Sequence, residues 1–376
     1  MSGPGGEGRT TIHLVVPDVI DDPRHPSGGN VYDRELSVAL SALGWPVREH
    51  HLRGGWNGAA VDQGRLARVL ADVPDGEPVI VDGLLGLDAP DVLPAEGGRV
   101  PLHLLVHLPL GLAAPDRLEV RHREQEALSV ATAVIATSDW ARAWLLDTYP
   151  LPDDRVHVAR PGAPRTPLSL GTADGGELLC VGAVVPAKGQ DHLVDALATL
   201  RELDWTCRIM GPVDRDPAYA DRIRTQIRRT GLGNRVDLTG PVRREEIRAA
   251  YGAADLLVAP TLMETYGMTV AEALAAGLPV IASEVGGVGE ALGVVGDGAR
   301  PGILVRLGDP AALAEALRRW LLDDDLRRRL RRSARERRAL LPDWSDTARH
   351  VLHAVCGSTP PVVATVGALT GGGAAR

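Results

Sequence analysis

Two glutamates, Glu264 and, eight residues later, Glu272, stand on either side of a glycine-containing turn in the run PTLMETYGMTVAEALAAGLPVIASEVGGVGE, Pro260 to Glu290. Carboxylates accept hydrogen bonds from paired hydroxyls, so these residue types suit a sugar ring. Between them, Thr265-Tyr266-Gly267-Met268-Thr269 reads as the end of a loop and the start of a helix. A helix start presents unpaired backbone N–H groups at the positive end of its dipole, which suits a diphosphate, and Gly267 lets that ligand approach the backbone. Taken singly, Glu264 also reads as a capping residue and Glu272 as part of a polar helix face. With the glycine loops they read as a sugar-nucleotide site, one carboxylate on a hexose and the other on a ribose. A second turn, Gly286-Gly287-Val288, either receives phosphate or sugar in the same way or is a plain tight turn.

Three further positions carry potential chemistry. Lys188, in VGAVVPAKGQD, places an ammonium just before a helix, where it is either a surface charge or a partner for charge growing on a leaving phosphate. Ser27-Gly28-Gly29-Asn30 supplies small residues after a strand, fit either for close approach to a ligand or for a helix start capped by Ser27 or Asn30. His107 ends the strand LHLLVHLP at the expected cleft, whereas His103, four residues earlier, reads as structural.

The scaffold that gathers such loops is legible in the alternation of short apolar runs and helical patterns. TIHLVVP, WPVREH, PVIVDG, LHLLVHLP and AVIAT read as strands, with helices over VYDRELSVALSALG, VDQGRLARVLADV and Arg117 to Ala131. A Pro- and Gly-rich stretch from Ala159 to Gly176 breaks the rhythm. Beyond it, ELLCVGAVV, WTCRIMG, RVDLTG, LLVAP and PVIAS alternate with helices again. Apolar strands alternating with helices predict α/β architecture with parallel sheets, whose ligands gather outside the carboxyl ends of the strands. The expected divisions are a loose segment 1–10, a first doubly wound domain 11–165, a second 166–340, a terminal helix 341–356 packing back toward the first domain, and a mobile tail 357–376.

A chain of 376 residues has room for two cores. Its formal charge of −8 argues against general affinity for nucleic acid or an anionic membrane. No apolar run approaches the ~20 residues needed to cross a bilayer, so no stable membrane insertion and a cytoplasmic location are expected. Cys180, Cys207 and Cys356 lack metal-ligand spacing. The basic run LRRRLRRSARERR keeps Leu326, Leu330 and Ala334 at helical spacing and reads as a solvated helix face. Asp214-Arg215-Asp216 lies in a Pro-containing loop and reads as turn chemistry, so no catalytic metal is expected.

The spacing of Glu264 and Glu272, its continuation into EALAAGLPVIAS and the following GGVGE resemble the donor-site signature of the family 4 glycosyltransferases. The resemblance covers roughly residues 11 to 356 and is strongest from Val181 to Glu290. It implies the GT-B fold, in which two doubly wound Rossmann-like domains face a cleft, and a retaining transfer of sugar from a nucleotide diphosphate. It also assigns roles. Glu264 would contact donor-sugar hydroxyls, Glu272 would hold the ribose, and the N–H groups around Tyr266 to Thr269 would hold the diphosphate. Lys188 would neutralise the leaving group, and Gly28 and Gly29 would approach the donor phosphate. His107 would lie near the reaction centre, with Asn30, Gly286, Gly287 and Glu290 supporting these loops.

Ala183 stands where many members of that family have arginine, and Arg160 is a candidate replacement. The implied mechanism is a front-face substitution in which the leaving phosphate oxygen takes the acceptor's proton. No cofactor is then required beyond the nucleotide-diphosphate sugar as co-substrate, with UDP or GDP favoured. The acceptor, whether a small molecule, a lipid-linked sugar or a glycan, is not identified by the sequence; its contacts are expected from the loops Arg53 to Gln63 and Leu108 to Asp116. Competing readings are a glycoside hydrolase that uses the two glutamates as its paired carboxylates, and a nucleotide-sugar-binding protein of the same fold impaired in turnover. A dehydrogenase is disfavoured because no G-x-G-x-x-G follows the first strand of either half.

Overall fold

The computed structural model describes residues 9–22, 25–54, 60–296 and 298–357. Residues 1–8 of the N-terminal segment, residues 358–376 of the expected tail and residues 55–59 of the loop Arg53 to Gln63 lie outside the described residues. The first half runs β1 (Ile12–Pro17), α1 (Gly28–Ala42), β2 (Val47–Leu52), α2 (Gln63–Ala71) and β3 (Val79–Asp82). It continues through the short helices α3 (Gly83–Gly86) and α4 (Leu93–Glu96), β4 (Leu102–Val106), α5 (Leu110–Ala113), α6 (Leu118–Val130), β5 (Ala133–Ala136), α7 (Asp139–Thr148) and β6 (Val156–Val158).

The second half runs β7 (Glu177–Val181), α8 (Gln190–Ala198), β8 (Thr206–Met210), α9 (Pro217–Arg229), β9 (Val236–Gly240), α10 (Arg244–Ala253) and β10 (Leu256–Ala259). Then come α11 (Met268–Ala275), β11 (Val280–Ser283), α12 (Val288–Leu292), β12 (Gly302–Val305), α13 (Pro310–Leu322), α14 (Asp324–Arg338) and α15 (Trp344–Cys356). Every strand pairing is parallel. The strands form two six-stranded sheets, ordered β2-β1-β3-β4-β5-β6 and β12-β11-β10-β7-β8-β9.

Continuous Val, Ile and Leu runs make strands that are buried on both faces, as helix-covered parallel sheets require. Along β3, Val79 and Val81 enter one cluster with Leu66 and Leu70 of α2, while Ile80 enters the opposite one with Leu36 and Leu40 of α1. The second sheet is sandwiched in the same way, between Leu193, Ile223 and Trp320 on one side and Tyr251, Val270 and Leu274 on the other. The chain belongs to the α/β class, with two domains each doubly wound.

Residues 159–176 contain no helix or strand. Buried Asp255 fixes their end, accepting from Thr172 N, Thr172 Oγ1 at 2.6 Å and Glu177 N at 2.9 Å and pairing with Arg331 at 2.7 Å. After α14 the chain returns to the first sheet, where α15 packs against α1. There Trp344 meets Tyr32 edge-on at 5.3 Å, and Thr347 Oγ1 donates to Arg160 O at 2.7 Å. α7, β6 and β12 are absent from the sequence reading.

Candidate functional site

In the second sheet β7 and β10 are neighbours, and the strand order runs outward from them in opposite directions. A sheet of this kind opens a crevice at that point, outside the strands' carboxyl ends. The two loops that leave β7 and β10 carry Lys188 and Glu264. They are stitched together: Leu262 N donates to Ala187 O at 2.8 Å, and Thr261 Oγ1 donates to the same carbonyl at 3.1 Å. Gly189, at φ 64°, makes this approach possible, since a Cβ there would lie 2.2 Å from Pro260 O. The result is a Lys188 Nζ to Glu264 Oε2 ion pair of 2.7 Å, with each side chain partly open to the crevice.

Gly267 follows, in the left-handed region at φ 103°, and caps α11. The N–H groups of Met268 and Thr269 sit in the first turn of that helix, where no intrahelical acceptor exists. Glu272 lies one turn on and accepts from Tyr251 OH at 3.1 Å. Burial pushes its carboxyl up, against the pull of Tyr251, Arg244 and Arg248. Tyr266 turns inward and is buried, so its backbone rather than its ring lines the loop. Gly286 and Gly287 form the floor of this turn. A Cβ on Gly286 would lie 1.7 Å from Glu264 O, and one on Gly287 would lie 2.2 Å from Thr265 O.

The first domain meets this loop directly. Ser27 Oγ accepts from Asn30 N at 2.9 Å and starts α1, one turn earlier than its apolar pattern begins. Asn30 is buried and donates to Val19 O and His25 O, holding the loop before the helix. A Cβ on Gly28 would lie 3.2 Å from Met268 Sδ, and one on Gly29 would lie 3.1 Å from His107 Cδ2. Thr265 Oγ1 donates to His107 O at 2.7 Å, and Ser138 Oγ donates to Thr265 O at 2.5 Å.

Other cross-cleft ties are Arg244 to Glu35 at 2.8 Å and Arg215 to the Pro26 carbonyl. Glu290 accepts from Asp139 N at 2.9 Å and pairs with Arg160, which also holds Asp139. Arg160, the candidate to replace an arginine at Ala183, is therefore engaged with two carboxylates, Glu290 and Asp139. Asp216 caps α9 by accepting from Tyr219 N at 2.9 Å, in keeping with the turn reading of Asp214-Arg215-Asp216.

Two residues with chemistry in this cleft escape the sequence reading. Asp33 on α1 and Asp82 at the end of β3 converge on His107, whose Nε2 lies 2.8 Å from Asp33 Oδ1 and 3.6 Å from Asp82 Oδ2. Both carboxyls are buried. Burial lifts Asp33 to about 7 and raises Asp82 well above the usual carboxyl range, with the Asp33 charge adding to the rise at Asp82; burial pulls His107 down, against the charge of Asp82. Among the described residues this is the group able to offer a cation three ligand atoms, all within 4.8 Å of one another. A sequence signal existed for Asp33, which shares the apolar stripe of α1 with Leu36 and Leu40. His103 is buried within β4, away from the cleft end, and burial lowers it to about 4.

The arrangement presents one cation, Lys188, and the positive end of a helix dipole, the start of α11, beside hydroxyl acceptors Glu264 and Glu272, beneath a glycine loop and a histidine. Residues 172–337 match the family described as glycosyl transferases group 1. The D-inositol 3-phosphate glycosyltransferase of Frankia alni is 34% identical over 287 residues, covering 70% of this chain and 69% of that protein. The enzyme of the same description from Jonesia denitrificans is 31% identical, over 86% of this chain and 90% of its own length.

Among solved structures, sucrose-phosphate synthase from Thermosynechococcus elongatus superposes with a TM-score of 0.76 at 23% identity, covering 90% of this chain and 96% of that one. Anabaena HepE in complex with UDP-glucose gives 0.72 at 18% identity, covering 93% and 100%. Both share the two-domain fold. No helix among the described residues is long and apolar enough to cross a membrane.

Proposed function

This chain belongs to the group 1, family 4 glycosyltransferases, and from that premise we propose that it moves a hexose from a UDP or GDP sugar to an acceptor hydroxyl with retention at the anomeric carbon. The observation that carries the reading is the 2.7 Å pair of Lys188 and Glu264 at the crevice beside the start of α11. A cation and a carboxylate side by side match the two halves of a sugar nucleotide, the diphosphate and the hydroxylated ring.

In this reading the diphosphate lies against Lys188 and the N–H groups of Met268 and Thr269, and Glu264 turns to the sugar. Glu272 takes the ribose hydroxyls, and His107 faces the sugar from the first domain. As the bond from the anomeric carbon to the phosphate oxygen breaks, Lys188 and the helix start stabilise the growing negative charge. The acceptor oxygen attacks on the same face and its proton passes to the departing phosphate oxygen, so no protein base is used. Glu290, Arg160, Thr265 and Ser138 support the reading by holding the two domains together around the site, which keeps water out. The names of the relatives make an inositol phosphate the first acceptor to test.

A panel of nucleoside diphosphates and nucleotide sugars, scored by thermal stabilisation with magnesium and then with EDTA, tests the donor. One base is expected to raise Tm selectively, equivalent to about 2.7 kcal/mol at a hundredfold excess over Kd, and to do so after chelation. Absence of any shift would overturn the donor site, and a shift that chelation abolishes would overturn its independence from metal.

A further inference from the structure

We propose that Asp33 and Asp82 act as one unit, two carboxyl groups sharing a single proton, and that this unit is the positioning element for His107 during sugar transfer. The proposal rests on the donor-site reading, which brings His107 to the reacting sugar.

The two side chains come from α1 and from the end of β3, the two elements that flank the point where the strand order of the first sheet diverges. They therefore occupy the same topological position in the first sheet that Lys188 and Glu264 occupy in the second. Neither is exposed, at 0% and 1%, and facing oxygens of the two carboxyl groups lie within 4.8 Å of one another. Two buried carboxylates this close repel one another when both are ionised, which favours a single proton held between them.

The remaining contacts agree. Asp82 Oδ1 accepts from Leu84 N at 2.6 Å, and Asp33 Oδ1 lies 2.8 Å from His107 Nε2. The Oδ2 atoms of both are buried and receive no hydrogen bond from the described residues. A proton between the two carboxyls leaves one negative charge, carried at Asp33 and directed at the imidazole. His107 then holds its hydrogen on Nε2 and keeps Nδ1 as an acceptor.

Tyr32, edge-on at 5.0 Å, and the backbone at Gly29 fix the plane of the ring. The other charged neighbour on α1, Arg34, is engaged with Asp21 and Glu49 at 2.5 Å each. Two buried carboxyls beside a cleft with one histidine are a costly arrangement for stability alone, and such clusters concentrate at functional sites.

The test compares kcat, donor KM and nucleoside-diphosphate Kd for the full chain and three variants. Asp33→Asn removes the negative charge facing Nε2–H, leaving a neutral amide there, and is expected to lower kcat by about 10²-fold with KM and Kd unchanged, the loss expected for a misplaced catalytic group. Asp82→Ala is expected to lower kcat by roughly tenfold. Asp82→Asn, which mimics the neutral acid and has no proton to lose, recovers most of that loss and removes the alkaline fall of kcat that release of the shared proton causes in the unmodified protein.

Variants that leave kcat and the pH profile unaltered would overturn the proposal. So would variants that lose nucleotide binding together with turnover, which would mark a packing role. Dependence of activity on a divalent cation, removed by EDTA and by Asp82→Asn, would show a metal site in its place. Nitrogen NMR of His107 in the unmodified protein reads the same claim without substitution: the Nε2–H form supports it and the Nδ1–H form overturns it. Failure of the unmodified protein to bind any nucleoside diphosphate would instead overturn the donor reading, and retained binding separates the two.

Discussion

Lys188→Ala lowers kcat by about 10²- to 10³-fold, the scale observed when one pre-placed group that stabilises transition-state charge is removed. The expectation follows from position. The loop from β7 is clamped to the loop from β10 by the bonds to Ala187 O, so the ammonium is delivered to the crevice on a rigid turn rather than a mobile arm. Its partner Glu264 keeps it there at 2.7 Å. Because the charge it meets grows as the glycosidic bond breaks, the loss should appear chiefly in kcat, with a smaller change in donor KM. Steady-state kinetics of Lys188→Ala and Lys188→Arg decide it. A variant that retains full activity with its fold intact would remove Lys188 from the site.

Gly286→Ala lowers kcat/KM by at least about 10²-fold although position 286 has no side chain to offer a ligand. Its φ is 54°, and the added Cβ would fall 1.7 Å from the carbonyl oxygen of Glu264. Backbone rather than a flexible side chain is in the way, so the loop holding Glu264, Thr265 and Tyr266 has to move by an ångström or more. Gly231→Ala is the control. Gly231 also has a positive φ, 69°, but nothing lies within 4 Å of the new Cβ. It should cost about 1 kcal/mol of stability for the left-handed backbone and leave kcat/KM unchanged. Kinetics and urea unfolding of the two variants separate displacement of the site from backbone strain.

Most of the strands were legible because they carry Val, Ile, Leu or Ala in runs long enough to cross a sheet covered on both faces; β2, VREHHL, was read despite its polar residues and lies at the sheet edge. β12 was harder to read, since Gly302 opens it and only four residues, GILV, carry it. β6 has three residues, VHV. α7 hides its apolar stripe behind Trp140, Arg142 and Asp147, although Ser138 caps it by accepting from Ala141 N at 2.9 Å.

The residues proposed for the donor side were legible for a different reason: Glu264, Gly267 and Glu272 are close in sequence, and their spacing alone places them at one helix start. Asp33, Asp82 and His107 are far apart in the chain, and only the pairing of β1 with β3 and of β3 with β4 brings them together. The same holds for Glu290. Its place in GGVGE is visible in the sequence, but its partners Arg160 and Asp139 come from the far side of the cleft.

The most direct measurement incubates the purified protein in EDTA with UDP and GDP hexoses and inositol phosphate, following nucleoside-diphosphate release and the anomeric configuration of the product by NMR. The predicted result is release coupled to a glycoside of unchanged anomeric configuration, lost in Lys188→Ala. Binding of the donor without turnover across a broad acceptor panel, or a product of inverted configuration, would contradict it.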